Sequence, residues 1–267
     1  MQISQASIDT FAPPVKAYPE ADESREDWQY RNREDWLKRG GFSSALSYLR
    51  RALMMLWVDY HRTASAIASL ERLRSRIMPL KDIYQLSSSQ VSRSSFDMEY
   101  GLASLLTADS ASIEAFLSEA KVYETSQEYG FYTGFVGVIK GLLTGDKQMI
   151  EQQRKGLEKS NPEKFYYWPS KAVIFACLDG DCKTLASNVA QIEKKFTGYA
   201  KKMEALDAVG NVDLRKLDLH FFCPYPDFAF YAMAFRTCGL LMKKDSFWMP
   251  KALVEACGQQ LARLQTK

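Results

Sequence analysis

Histidine is almost missing from this 267-residue chain, which has only His61 and His220. Neither has a Glu three residues before it, so the ExxH pairs of di-iron bundles are absent. A Ser–His or Cys–His catalytic pair could arise only through folding. His61 sits mid-helix beside Tyr60 and Arg62, with Asp59 as its one acidic neighbour, and reads as a packed histidine. The phosphate-binding GxxxxGK[ST] loop, the dinucleotide-binding GxGxxG turn and the GxSxG nucleophile elbow are also missing. The expectation is therefore a non-enzyme with no catalytic residue, no metal and no cofactor.

Cysteine is sparse and odd in number: Cys177, Cys182, Cys223, Cys238 and Cys257. Most stand in apolar company such as FACL and EACG, unlike a secreted disulfide framework. Cys177 and Cys182 flank one turn but have no second pair and no nearby histidine, which speaks against zinc. Long apolar runs are lacking as well. ALMMLWV, Ala52 to Val58, is seven residues long, against the roughly 20 that a helix needs to cross a bilayer. MQISQASIDTFAPP has no basic start followed by an apolar stretch, so no signal peptide is expected and the protein reads as cytosolic.

No excess of one charge is present either: the net charge is +3, too small to imply a nucleic-acid partner. The charge is unevenly distributed, with −4 over residues 1–37, +7 over 38–93, −5 over 94–181 and +5 over 182–267. Blocks of this size can be docking surfaces or simply solvated helix faces.

What the chain does contain is a recurring turn. LLTAD ends at Asp109, LLTGD at Asp146 and CLDGD at Asp181, with spacings of 37 and 35 residues. Seven positions before each Asp stand Leu102, Ile139 and Ile174, and three before stand Leu106, Leu143 and Leu178. Four after come Ile113, Ile150 and Leu185, and eleven after come Ala120, Leu157 and Ile192. Four- and seven-residue separations share a helix face, and a period near 35 is that of stacked αα-hairpins. In each turn the Asp caps the second helix, while Gly145 and Gly180 end the first in the left-handed conformation.

Around this array the remaining segments read in order. Residues 1–24, with Pro13, Pro14 and Pro19, form an extended arm. A short charged helix carries Trp28 and Trp36 as core anchors until Gly40 and Gly41 stop it. A long helix then runs from Ser43 or Ser44 to about Met78, with Leu49, Leu53, Leu56, Ile67, Leu70, Leu73 and Ile77 along one face. Its opposite face is basic, with Arg50, Arg51, Arg62, Arg72, Arg74 and Arg76, yet lacks the interleaved aromatics of a single-strand binder. Residues 81–95, with SSSQVSRSS, read as a loop. The array covers about Phe96 to Phe196, and a divergent terminal hairpin aligned on Asp245 covers about 218–264. The fold class is all-α: stacked αα-hairpin, TPR-like helical repeats with a long N-terminal helix, residues 25–267 being one domain.

Two clusters are candidate partner-binding sites. Tyr166, Tyr167 and Trp168 are consecutive before Pro169, and three successive aromatics cannot all point inward, so the cluster reads equally as core or as interface anchor. His220, Phe222, Tyr225 and Asp227 lie in the densest mix of polar and aromatic groups.

LDLHFFCPYPD, the Ala-rich FAFYAMAFRTCG and the helix start DSFWMPKALV together resemble the immunity protein 49 family, cytosolic bacterial proteins encoded beside polymorphic toxins. With the preceding L-x-x-D turns, the resemblance spans roughly residues 28–260. It implies an antidote that binds a cognate toxin's effector domain and blocks its active site, and it brings no catalytic residues. The alternative is a tetratricopeptide-like adaptor that holds a protein or peptide without inhibiting it. A third reading is an all-α enzyme with a pocket near His220 and Asp227.

Overall fold

The computed structural model describes residues 33–85, 90–122, 130–159, 168–210, 223–239, 242 and 245–264. Among these residues there are ten α-helices and no strand. They are α1 (Arg33–Thr63), α2 (Ala66–Ile77), a 3-10 segment (Met78–Gln85), α3 (Gln90–Thr107), α4 (Ser110–Glu119), α5 (Gly130–Thr144), α6 (Lys147–Lys159), α7 (Lys171–Asp179), α8 (Cys182–Ala208), α9 (Tyr225–Cys238) and α10 (Lys251–Leu264).

The recurring turns join α3 to α4, α5 to α6 and α7 to α8. Asp109 accepts from the Ser112 N–H at 2.9 Å, Asp146 from that of Met149 at 2.9 Å and Asp181 from that of Thr184 at 3.0 Å. Each side chain thus satisfies a donor that a helix start leaves free. Gly145 and Gly180 sit at φ +75° and +66°, and the first turn holds Ala108 at +46° in the equivalent place. The apolar positions seven before and eleven after each Asp are buried in all three hairpins. In the terminal hairpin the Asp245 carboxylate accepts instead from the Lys251 N–H, six residues on, at 2.9 Å, which is how the chain passes Pro250 into α10.

Four expectations are corrected. Gly40 and Gly41 do not stop a helix, because α1 runs through both. The long helix does not reach Met78: Ala64 turns to φ +50°, and Ser65 starts α2 by accepting from the Ala68 N–H. That break rotates the apolar stripe, leaving Ile67 62% exposed while Leu70, Leu73 and Ile77 stay buried. The serine-rich stretch is not a loop throughout, since α3 begins at Gln90 and Ser94 and Ser95 are buried within it. Finally, Cys182 and Cys238 form a disulfide with a Cα–Cα distance of 5.3 Å across 56 residues of sequence. The expected arm and the side chains of Trp28 and Trp36 lie outside the described residues.

The centre of the fold is α3, buried at every residue from Arg93 through to Ala108 at its end. It packs against α1, α2, α4, α5, α9 and α10. The second buried helix is α9, with no exposed residue from Cys223 to Ala234, and it touches α1, α3, α7, α8 and α10. In an open array each hairpin meets only its neighbours. Here the last hairpin returns to α3, and α10 also meets α2. Glycines permit the closest approaches: a Cβ on Gly101 of α3 would stand 2.7 Å from the Phe116 ring, and one on Gly258 of α10 would stand 2.6 Å from Phe235.

Candidate functional site

Pro226 lies in the first turn of α9, where a missing N–H costs nothing, and it is followed by Asp227, only 1% exposed. The Asp227 Oδ1 atom has no hydrogen-bond partner. Burial pushes this carboxyl up to about 7, and the positive charge of Lys195 from α8 only partly opposes the shift. Lys195 donates to the Trp168 carbonyl at 2.8 Å. The Trp168 ring lies 4.6 Å from Phe135 of α5, which meets Phe230 of α9 edge-on at 5.6 Å. On the same helix the Tyr231 hydroxyl donates to the Leu185 carbonyl at 2.6 Å, tying α9 to α8. Burial raises the Tyr231 phenol and the Cys223 thiol, and the nearby Asp227 charge adds to both.

Three of the predicted contact residues, Trp168, Tyr225 and Asp227, therefore fall at one junction of α5, α7, α8 and α9. All three are buried, so in this arrangement they are core groups and not a docking surface. Tyr166, Tyr167, His220 and Phe222 lie outside the described residues. Asp227 is thus a core carboxyl that burial drives towards its neutral form, with Lys195 as the cation whose charge it feels.

A second polar centre surrounds Asp97 of α3. Its Oδ2 accepts from the Lys121 N–H at 3.1 Å and lies 3.8 Å from the Arg93 guanidinium. Arg93 donates to the Glu119 carbonyl at 2.7 Å, and Lys140 of α5 donates to the carbonyls of Leu117, at 2.9 Å, and Ala120. Two cations thus close the C-terminal end of α4, where the helix dipole favours positive charge. Burial pushes Asp97 up to about 7 against the opposing effects of the Lys121 N–H, Arg93 and Lys140.

Part of the predicted basic stripe pairs with acids of the interior, while Arg51, Arg62 and Arg72 remain exposed. Asp59, almost fully buried, binds Arg76 at 2.6 Å and Arg72 at 3.2 Å. Arg50 reaches Glu99 of α3 at 3.1 Å. Arg74 donates to the Thr107 carbonyl at 3.2 Å and lies 3.6 Å from Asp109. These arginines bolt α1 and α2 to α3 and its turn.

His61 joins an aromatic seam between α1 and the residues before α10. The Phe247 carbonyl accepts from Trp57 Nε1 at 2.9 Å and lies 2.9 Å from His61 Nε2. Trp57 stacks on Trp248 at 5.5 Å, and His61 lies 4.6 Å from both the Trp57 and Phe247 rings. Burial lowers its pKa, a shift that the Phe247 carbonyl and Asp245 partly offset. It is a packed histidine. Among the described residues no three His, Cys, Asp or Glu side chains gather as a metal site, and no helix is long and apolar enough to cross a membrane.

No family model, no curated protein and no solved structure matches this chain. Function must then be argued from the residues themselves. Sequence reasoning missed two features: the Cys182–Cys238 bridge and the inward arginine network. The one local signal of the bridge is that DGDC and TCG each place a cysteine within two residues of a glycine at a helix end, but nothing in sequence brings the two ends together.

Proposed function

We propose that this protein is a toxin-neutralising immunity protein that binds the effector domain of a cognate toxin and occludes its active site. The observation that carries the reading is where the family-like residues lie. CPYPDFAFYAMAF forms the buried N-terminal stretch of α9, and Trp248 and Met249 of SFWMPKALV are buried before α10. The residues behind the resemblance thus include core residues of α9 and of the approach to α10, which supports a shared scaffold. The stacked, TPR-like reading of α3 to α8 fits such a scaffold, since paired helices present a broad rigid surface. Four arginines of α1 and α2, Arg50, Arg72, Arg74 and Arg76, are paired with Glu99, Asp59 and Asp109, which favours a protein partner over nucleic acid. Contact residues would then be side chains outside this core.

The test is co-purification of the tagged chain from its native cells, with mass spectrometry of stoichiometric partners, followed by co-expression of the captured domain. A domain that kills cells alone, spares them when this chain is present and forms a stoichiometric complex with it supports the proposal. Capture of a non-toxic protein at equal stoichiometry would replace it with the adaptor reading, and absence of any rescue would overturn it.

A further inference from the structure

Of the five cysteines, Cys177, Cys223 and Cys257 are buried and free, and burial holds each thiol well above its ordinary range. Such thiols are chemically inert. Cys182 and Cys238 differ on every count. They are partly exposed, they are bonded to each other, and each occupies a helix end, Cys182 opening α8 and Cys238 closing α9. The two ends meet at the α7–α8 turn, where a Cβ on Gly180 would stand 2.9 Å from Thr237. Both sulfurs lie close to the Gly180 carbonyl, at 3.3 and 3.7 Å.

We infer that Cys182 and Cys238 form a reversible thiol–disulfide latch that fastens the C-terminal end of α9 to the α7–α8 turn in response to the surrounding thiol–disulfide balance. The co-reactant is a low-molecular-weight disulfide of the glutathione class. In the reduced chain the positive end of the α8 dipole favours an anion at Cys182. The Cys182 thiolate attacks one sulfur of the disulfide and expels one thiolate, giving a mixed disulfide. The Cys238 thiolate then attacks the Cys182 sulfur and expels the second. Two electrons pass from the protein to the small disulfide, and the two cysteine protons end on the two released thiols. Excess small thiol runs the same steps backwards. The bridge ties the last turn of α9 covalently to the start of α8, so the latch acts on local opening of the α9 end. The inference does not depend on the toxin-binding proposal.

The test equilibrates the full-length protein with reduced and oxidised glutathione in varied ratio, blocks free thiols and counts adducts by intact mass, with amide exchange followed over residues 182–188 and 232–239. The expected result is one transition confined to Cys182 and Cys238. Exchange at the α9 end becomes at least tenfold faster on reduction, and C182S/C238S resembles the reduced wild type. Three results would overturn the latch: a bridge untouched by excess reduced glutathione, a pair that stays dithiol in excess oxidised glutathione, or a transition that leaves amide exchange unchanged. The wild-type comparison stands even if the double variant does not fold.

Discussion

Replacing Asp227 by Asn should stabilise this protein progressively as pH rises. The carboxyl is 1% exposed, its Oδ1 is unpartnered, and burial pushes it up to about 7, against about 3.9 in an unfolded chain. Because the folded value is raised, the native state holds more protons than the unfolded state between those two limits. Stability therefore falls as pH climbs through that window and levels off above it. Integrating the two titrations, the ionisable group costs about 1–2 kcal/mol at pH 5 and roughly 4 kcal/mol at pH 8. Asn has nearly the same shape and does not ionise, though its buried amide brings a pH-independent cost of about 1–3 kcal/mol. The readable quantity is thus the change in the difference: Asn should gain about 2–3 kcal/mol on the wild type between pH 5 and pH 8. Urea unfolding followed by far-UV circular dichroism at several pH values measures it, provided both proteins unfold with the same slope. A pH-independent difference, or one that moves in favour of Asp as pH rises, would refute the argument.

Two further contrasts test the interior. Arg76→Leu leaves the buried Asp59 with only the half-exposed Arg72, so thermal or urea unfolding should report a loss of about 3 kcal/mol, whereas Arg72→Ala should lose under about 1 kcal/mol. Gly101→Ala places a methyl 2.7 Å from the Phe116 ring and should cost about 1–3 kcal/mol. Gly156→Ala on α6 meets nothing within 4 Å and should gain up to about 1 kcal/mol, because alanine is the better helix former.

Features set by neighbours in sequence were legible without a fold. The three Asp-capped turns need only a carboxylate within reach of a backbone N–H three residues on and a residue able to turn left-handed. Apolar spacing around them marked the buried faces of both helices. The run Phe228 to Ala234 is buried throughout, as fits a helix that is apolar all round and has no side to show to water.

The candidate site was only partly legible. An aromatic run at 166–168 and the Asp227 segment stood out, but exposure could not be inferred, and Trp168, Tyr225 and Asp227 proved to be core. The same limit hid the role of α3. Its start, with Arg93, Ser94 and Ser95, reads as a loop and is followed by the charged Asp97 and Glu99, yet Arg50 and the end of α4 supply partners from 24 to 49 residues away. Charged residues can be buried only when distant groups pair with them, and that pairing exists only once α1, α4 and α5 have closed on α3. The Cys182–Cys238 bridge belongs to the same class. Local chemistry therefore determined the helices and their turns, and long-range packing alone decided which polar side chains became interior and which two cysteines met.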